Sequence, residues 1–209
     1  MIYYANPTTD VVRDAMTAGI VGCIDTPLQG NRIDPAWDVI ADNGCFSAVW
    51  DADRWWSWLE RHDPVRFAVC PDVVDLDGGE THWPTVDLWH EWAPRIRQAG
   101  HVPAFVLHQG ATLDTIPDAE VLFIGGSTEW KLSAAVWDIV TAVHHDRWVH
   151  MGRVNSWRRL ETAAAMGCRS VDGTFLTFGP DVNLPRLLGW LKRWEANPML
   201  WGHHPLKRS

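Results

Sequence analysis

The sequence predicts a compact (β/α)8 barrel of the TIM type, occupying residues 1–209 as one domain. Three observations carry this. Eight short apolar runs recur along the chain, each ending in a polar residue or a glycine. Amphipathic stretches separate most of them. The runs are continuously apolar rather than alternating, as strands of a parallel sheet buried on both faces are. At 209 residues the chain is short against the roughly 250 of a typical barrel, and its 46% hydrophobic content suffices for one sizeable core.

In chain order the predicted strands are IYYA (2–5), GIVGCID (19–25), WDVIADNG (37–44), RFAVCPD (66–72), PAFVLHQG (103–110), VLFIGG (121–126), WVHMGR (148–153) and RSVDG (169–173). Helices are expected over 7–18, 51–62, 84–99, 128–145, 155–167 and 184–196. Asp51, Ser127 or Thr128, and Asn155 are suited to cap helix starts. Gly100 and Gly167 stand where helices end in a left-handed residue. The connection 26–36, TPLQGNRIDPA, is too short for a crossover helix. It reads as an irregular loop or a hairpin-like step, at which the barrel could be interrupted. A doubly wound open sheet is the alternative fold, but no GxGxxG follows a strand. The 15 tryptophans include several at helical spacing, as in DRWWSWLE and Trp89/Trp92, and read as helix-to-barrel packing rather than base stacking.

Charge is unevenly spread. Residues 1–146 hold 8 Lys/Arg and 22 Asp/Glu, a balance of −14, whereas residues 147–209 hold 10 and 4, a balance of +6. Despite the overall −8, a basic face and tail able to meet a polyanion are expected in the last third. Cys23, Cys45, Cys70 and Cys168 show no CxxC spacing and read as buried thiols of a reducing compartment. With no secretory signal and no apolar run of membrane-spanning length, a cytoplasmic protein is expected.

In a β/α barrel, chemistry sits at the C-terminal ends of the strands. Those ends supply Asp25, Asp42, Asp72, Gln109, Gly125, Gly126, Met151, Gly152, Arg153 and Asp172. Carboxylates in a barrel mouth are costly unless paired or used. Two of them beside hydrogen-bonding groups suit displacement at a sugar anomeric carbon, one attacking and the other passing a proton.

In this order the residues resemble the tRNA-guanine transglycosylase superfamily, and more closely its small phage-associated relatives of the DpdA type, which place 7-deazaguanines in DNA. The resemblance spans roughly 37–175. Asp42-Asn43-Gly44-Cys45-Phe46 is similar to the segment carrying the general acid/base and a base-stacking aromatic. Asp72 and Gln109 stand where the family reads the guanine edge. Gly125-Gly126 resembles its backbone contact to the base carbonyl. Met151 matches the methionine on the opposite face of the base, and Asp172 the nucleophile. The chain departs from the pattern at Asn43, Cys45 and Ser47. It also lacks the CxCxxC…His zinc module of the tRNA enzymes, and His203-His204 have no cysteines beside them.

The resemblance implies a DNA-guanine transglycosylase that exchanges guanine for a free 7-deazaguanine, such as 7-cyano-7-deazaguanine, without metal or organic cofactor. DNA is the expected partner and tRNA the less expected one. Arg153, Arg158 and Arg159 in GRVNSWRRL are the expected phosphate contacts. The alternatives are a tRNA-guanine transglycosylase lacking the zinc module, a metal-dependent barrel hydrolase using His108, His150 and Asp172, and a non-catalytic nucleobase- or DNA-binding protein.

Overall fold

The computed structural model describes residues 1–46, 50–75 and 79–196. Within them, eight strands close into a barrel: β1 (Ile2–Ala5), β2 (Gly22–Asp25), β3 (Val39–Ala41), β4 (Ala68–Val69), β5 (Pro103–Leu107), β6 (Val121–Ile124), β7 (Trp148–Met151) and β8 (Ser170–Asp172). Every neighbouring pair is parallel, including β1 with β8. The expected fold is therefore observed. The 26–36 segment crosses between parallel strands as an irregular connection, so neither a hairpin step nor an interruption of the barrel occurs there.

The helices are α1 (Asp10–Thr17), α2 (Ala52–Leu59), α3 (His82–Gln98), α4 (Thr128–Lys131), α5 (Ala134–Val143), α6 (Trp157–Met166) and α7 (Pro180–Ala196). Asp51 and Ser127 cap as expected, accepting from the Arg54 and Trp130 N–H groups. The expected 128–145 helix divides, because Ser133 accepts from the Val136 N–H and starts α5 afresh. The α6 cap is Ser156 rather than Asn155, whose amide donates instead to the Thr174 hydroxyl. Gly167 ends α6 at φ +100, a left-handed geometry that glycine adopts without strain.

Two apolar layers result. Tyr4, Ile24, Ile40, Phe67, Val69, Ala104, Val106 and Val121 fill the barrel interior. A larger layer between strands and helices includes Trp55, Trp89 and Trp92, each at most 4% exposed, and the Trp55 and Trp92 rings meet edge to face at 5.4 Å. These tryptophans pack, as expected. The barrel floor is closed by Arg66, whose guanidinium makes two bonds to Asp38 (2.8 and 2.9 Å) and lies 4.9 Å from the Trp148 ring. Among the described residues no helix is long and apolar enough to cross a membrane.

Candidate active site

Strand register decides which side chains reach the mouth. Phe123, His150 and Ser170 are aligned across β6, β7 and β8. His150 lies inside, stacked on Phe123 at 4.7 Å and facing Tyr4 and Phe67. Side chains alternate along a strand, so positions two residues on face the same interior one tier higher. That tier is Gly125, Gly152 and Asp172. A Cβ at Gly125 would lie 2.6 Å from Val106 Cγ1, and one at Gly152 would lie 2.9 Å from the Phe123 ring and 3.3 Å from Asp172 Oδ2. The glycines leave room above the Phe123–His150 layer. There a cavity of about 180 Å³ opens, floored by Ile24, Val69, Val106 and Phe123. It is small against the roughly 300–1,000 Å³ of sites for drug-sized ligands.

The cavity brings together Asp42, Phe46, Asp72, Gln109, Gly125, Gly126, Arg153 and Asp172. Parity also excludes residues. Met151 has the opposite parity to His150, joins Val149 in the outer layer at 1% exposure, and does not line the cavity. Asp25 likewise points outward and takes Asn31 Nδ2 and His62 Nε2, each at 3.3 Å, as a loop anchor. Ser47 and the His203-His204 pair lie outside the described residues, as does the end of the basic tail from 197 onward.

The two expected catalytic carboxylates sit in different settings. Asp42 follows β3, half-buried. Burial, and then the negative charges of Asp172 and Asp72, push its carboxyl up to about 7 against the pull of the Asn43 and Gly44 backbone groups. Asp172 ends β8, is 8% exposed, and accepts from Arg153 N–H at 3.2 Å and from His150 Nε2 at 2.9 Å. A relay stands behind it. The Trp148 indole, a donor only, gives its proton to Ser170 Oγ at 2.7 Å. Ser170 Oγ lies 2.8 Å from His150 Nδ1. The indole N–H takes a lone pair of Ser170 Oγ and leaves the hydroxyl proton for His150 Nδ1, so the imidazole presents its N–H to Asp172 at Nε2.

Asp72 is braced from both sides. Asn43 Nδ2 donates to Oδ1 at 2.7 Å, and His108 Nε2 lies 2.6 Å from Oδ2. The Asp72 backbone N–H donates to Cys45 Sγ at 3.5 Å, and Asn43 Oδ1 takes the Cys45 N–H at 2.8 Å. Asn43 and Cys45, two of the departures from the resembled pattern, thus hold the carboxylate and the backbone of Asp72, respectively. Gly126 has φ +75, and a Cβ there would meet the Trp130 ring at 2.9 Å, so only glycine suits it.

The expected arginines separate into three roles. Arg153 lines the mouth with its guanidinium 3.4 Å from the Phe46 ring centroid, and its backbone is left-handed at φ +60. Arg159 braces it, donating to the Arg153 carbonyl and to Thr128 Oγ1, both at 3.2 Å. Arg158 is an exposed residue of α6 and does not line the cavity.

The sequence reading missed Lys131. It ends α4, is 7% exposed, lines the cavity and donates through Nζ to the Gly152 carbonyl at 2.9 Å. Its one sequence signal was its place four residues after the Ser127 cap, just beyond Gly125-Gly126. His108 and His150, considered as metal ligands with Asp172, each serve a different aspartate, and among the described residues no three His, Cys, Asp or Glu side chains converge as a metal site.

By its closed parallel sheet and mouth-facing site, the chain is a (β/α)8 barrel. Among solved structures it is similar to a Tyr-to-Phe variant of mandelate oxidase with a monooxide FMN adduct, at TM-score 0.53 and 14% identity over 91% of this chain and 68% of the other. That likeness is one of fold. No family model and no curated protein matches the chain.

Proposed function

We propose that this barrel is a base-exchange enzyme acting on guanine in nucleic acid, with DNA the favoured polymer. The observation that carries this reading is the unequal state of two carboxylates in one cavity. Asp42 is poised to hold a proton near neutral pH, and Asp172 is oriented by two N–H donors. An Asp172 oxygen attacks C1′ as the glycosidic C–N bond breaks, and the departing guanine takes the proton of Asp42. A free 7-deazaguanine then gives its N9 proton to Asp42 and displaces Asp172 from C1′, which restores both carboxyl groups and the stereochemistry. Asp72 and Gln109 read the base edge, the Gly125–Gly126 backbone meets its carbonyl, and Phe46 covers it.

Support for DNA comes from the mouth-lining Arg153 and from the excess of basic residues after 146. In duplex DNA the target base leaves the stack at a cost of a few kcal/mol. Incubating the protein with guanine-labelled DNA or tRNA and a free 7-deazaguanine tests the reading. Released label and the deazaguanine nucleoside in the digested DNA are expected. Neither product from either polymer would end it, and product from tRNA alone would change the polymer.

A further inference from the structure

The cavity is divided by charge. Asp42 and Asp72 occupy one side, at the ends of β3 and β4. Lys131, at the end of α4, and Arg153, after β7, line the cavity from the β6–β7 side, the Arg153 guanidinium reaching to the Phe46 ring at 3.4 Å. Lys131 is buried to 7% exposure, and among the described residues the one hydrogen bond of its ammonium is that to the Gly152 carbonyl. An ammonium carries three donors, so two remain for the cavity. Burial lowers its pKa to about 8, with Asp172 acting against this and Arg153 and Arg159 adding to it. Holding a loop carbonyl needs no charge, and a neutral donor would serve. A buried ammonium that feels the positive charges of Arg153 and Arg159, with Asp172 acting against them, is costly unless the cavity takes a further anion. Arg153 is also held in a left-handed backbone that disfavours a non-glycine residue, which the Arg159 and Asp172 contacts maintain.

We propose that Lys131 and Arg153 form an anion subsite that receives a phosphate of the target nucleotide, so the smallest complete ligand is a purine nucleoside monophosphate rather than a nucleoside. The identity of the base rests on the function proposed above, whereas the anion subsite rests on the cationic wall alone. A base between Asp42 and Asp72 then has C1′ near Asp172 and its phosphate on the Lys131 side. Each ammonium hydrogen bond to phosphate is charge-assisted.

Two measurements test this. In the first, the lysine side-chain NMR signals of the intact protein are followed while inorganic phosphate is added. The Lys131 signal, assigned by its loss in Lys131→Met, should shift saturably and its titration should move to higher pH. No shift would overturn the subsite. In the second, calorimetry compares deoxyguanosine with deoxyguanosine monophosphate. The wild type should prefer the monophosphate by about tenfold, the worth of one hydrogen bond to a charged group. Lys131→Met should lose the preference, and so should Lys131→Gln, which still donates to the Gly152 carbonyl. Asp72→Asn should weaken both ligands alike. A preference retained in both Lys131 variants would reduce Lys131 to a loop brace. Phosphate that shifts Lys131 while neither purine ligand binds would leave the subsite standing and defeat the base reading.

Discussion

His150 Nε2 lies 2.9 Å from Asp172 Oδ2, and the imidazole between Asp172 and Ser170 is completely buried. The proton order from Trp148 through Ser170 to His150 fixes which imidazole nitrogen donates to the carboxylate. Ser170→Ala deletes the middle of that order without emptying much volume. A buried group left without its partner costs about 1–3 kcal/mol, or roughly tenfold to a hundredfold in rate if the cost falls on the reacting arrangement. Covalent adduct formation in a single turnover should slow by that factor with substrate affinity nearly unchanged. Ser170→Thr, which keeps a hydroxyl, should restore much of the rate. Equal rates for Ser170→Ala and wild type would make the relay irrelevant to Asp172.

The aspartates should fail in different ways. Asp172→Asn should abolish both guanine release and the covalent enzyme–DNA adduct, because an amide cannot attack C1′. Asp42→Asn should slow exchange by about 10²–10⁴, the usual contribution of a positioned acid or base. Asp72→Asn should change base choice, since it replaces an acceptor with a donor at the base edge and disturbs the contacts from Asn43 and His108. Denaturing gels of trapped adducts separate the three, and an adduct formed by Asp172→Asn would move the nucleophile elsewhere.

Asp42 also links stability to pH. An aspartate in an unfolded chain titrates near ~3.9. In the folded chain burial, with Asp172 and Asp72, pushes it up to about 7, so the native state holds this proton more tightly. The sign follows: its contribution to stability is full below the unfolded value and is lost as pH rises through the folded one. Asp42→Asn escapes that loss. Its stability gain over wild type in urea should grow between about pH 4 and pH 7 and then level off, at up to about 4 kcal/mol. A gain that stays flat with pH would show that Asp42 does not titrate in this range.

The barrel was legible because parallel strands buried on both faces leave continuous apolar runs, and IYYA, PAFVL and VLFI keep that form in the structure. The same property hid side-chain direction. In WVHMGR nothing alternates, so the sequence offered no parity by which to turn Met151 outward and His150 inward. Asp25 misled for a related reason: strand-end position was visible, but the face was not. Lys131 stayed hidden because TEWK reads as an exposed helical turn, and only the tertiary packing of α4 over the mouth buries its last residue. Asp42, Asp72 and Asp172 were legible as mouth residues because several carboxylates ending apolar strands together are more than packing needs, although each alone, like Asp25, could be an anchor.

Arg158 and Arg159, adjacent in sequence, should separate in function. Arg158 is exposed on α6, whereas Arg159 ties the Arg153 carbonyl to Thr128 at the mouth. A surface arginine that meets a DNA phosphate acts through counterion release, so its loss weakens binding across sequences and lowers the salt slope by about one. Arg158→Glu should do this and leave the rate of base exchange at saturating DNA unchanged. Arg159→Glu should add a second defect, because the Arg153 backbone loses the donor that holds its left-handed geometry, and Arg153 N–H in turn bonds Asp172. Its saturated exchange rate should therefore fall, by about tenfold or more if one charged hydrogen bond's worth of positioning is lost. Plots of log affinity against log salt, paired with single-turnover rates, read the two effects separately. Arg159→Glu matching Arg158→Glu in both would mean that the Arg159 brace does not reach the site, and an unchanged slope for Arg158→Glu would remove it from the DNA surface.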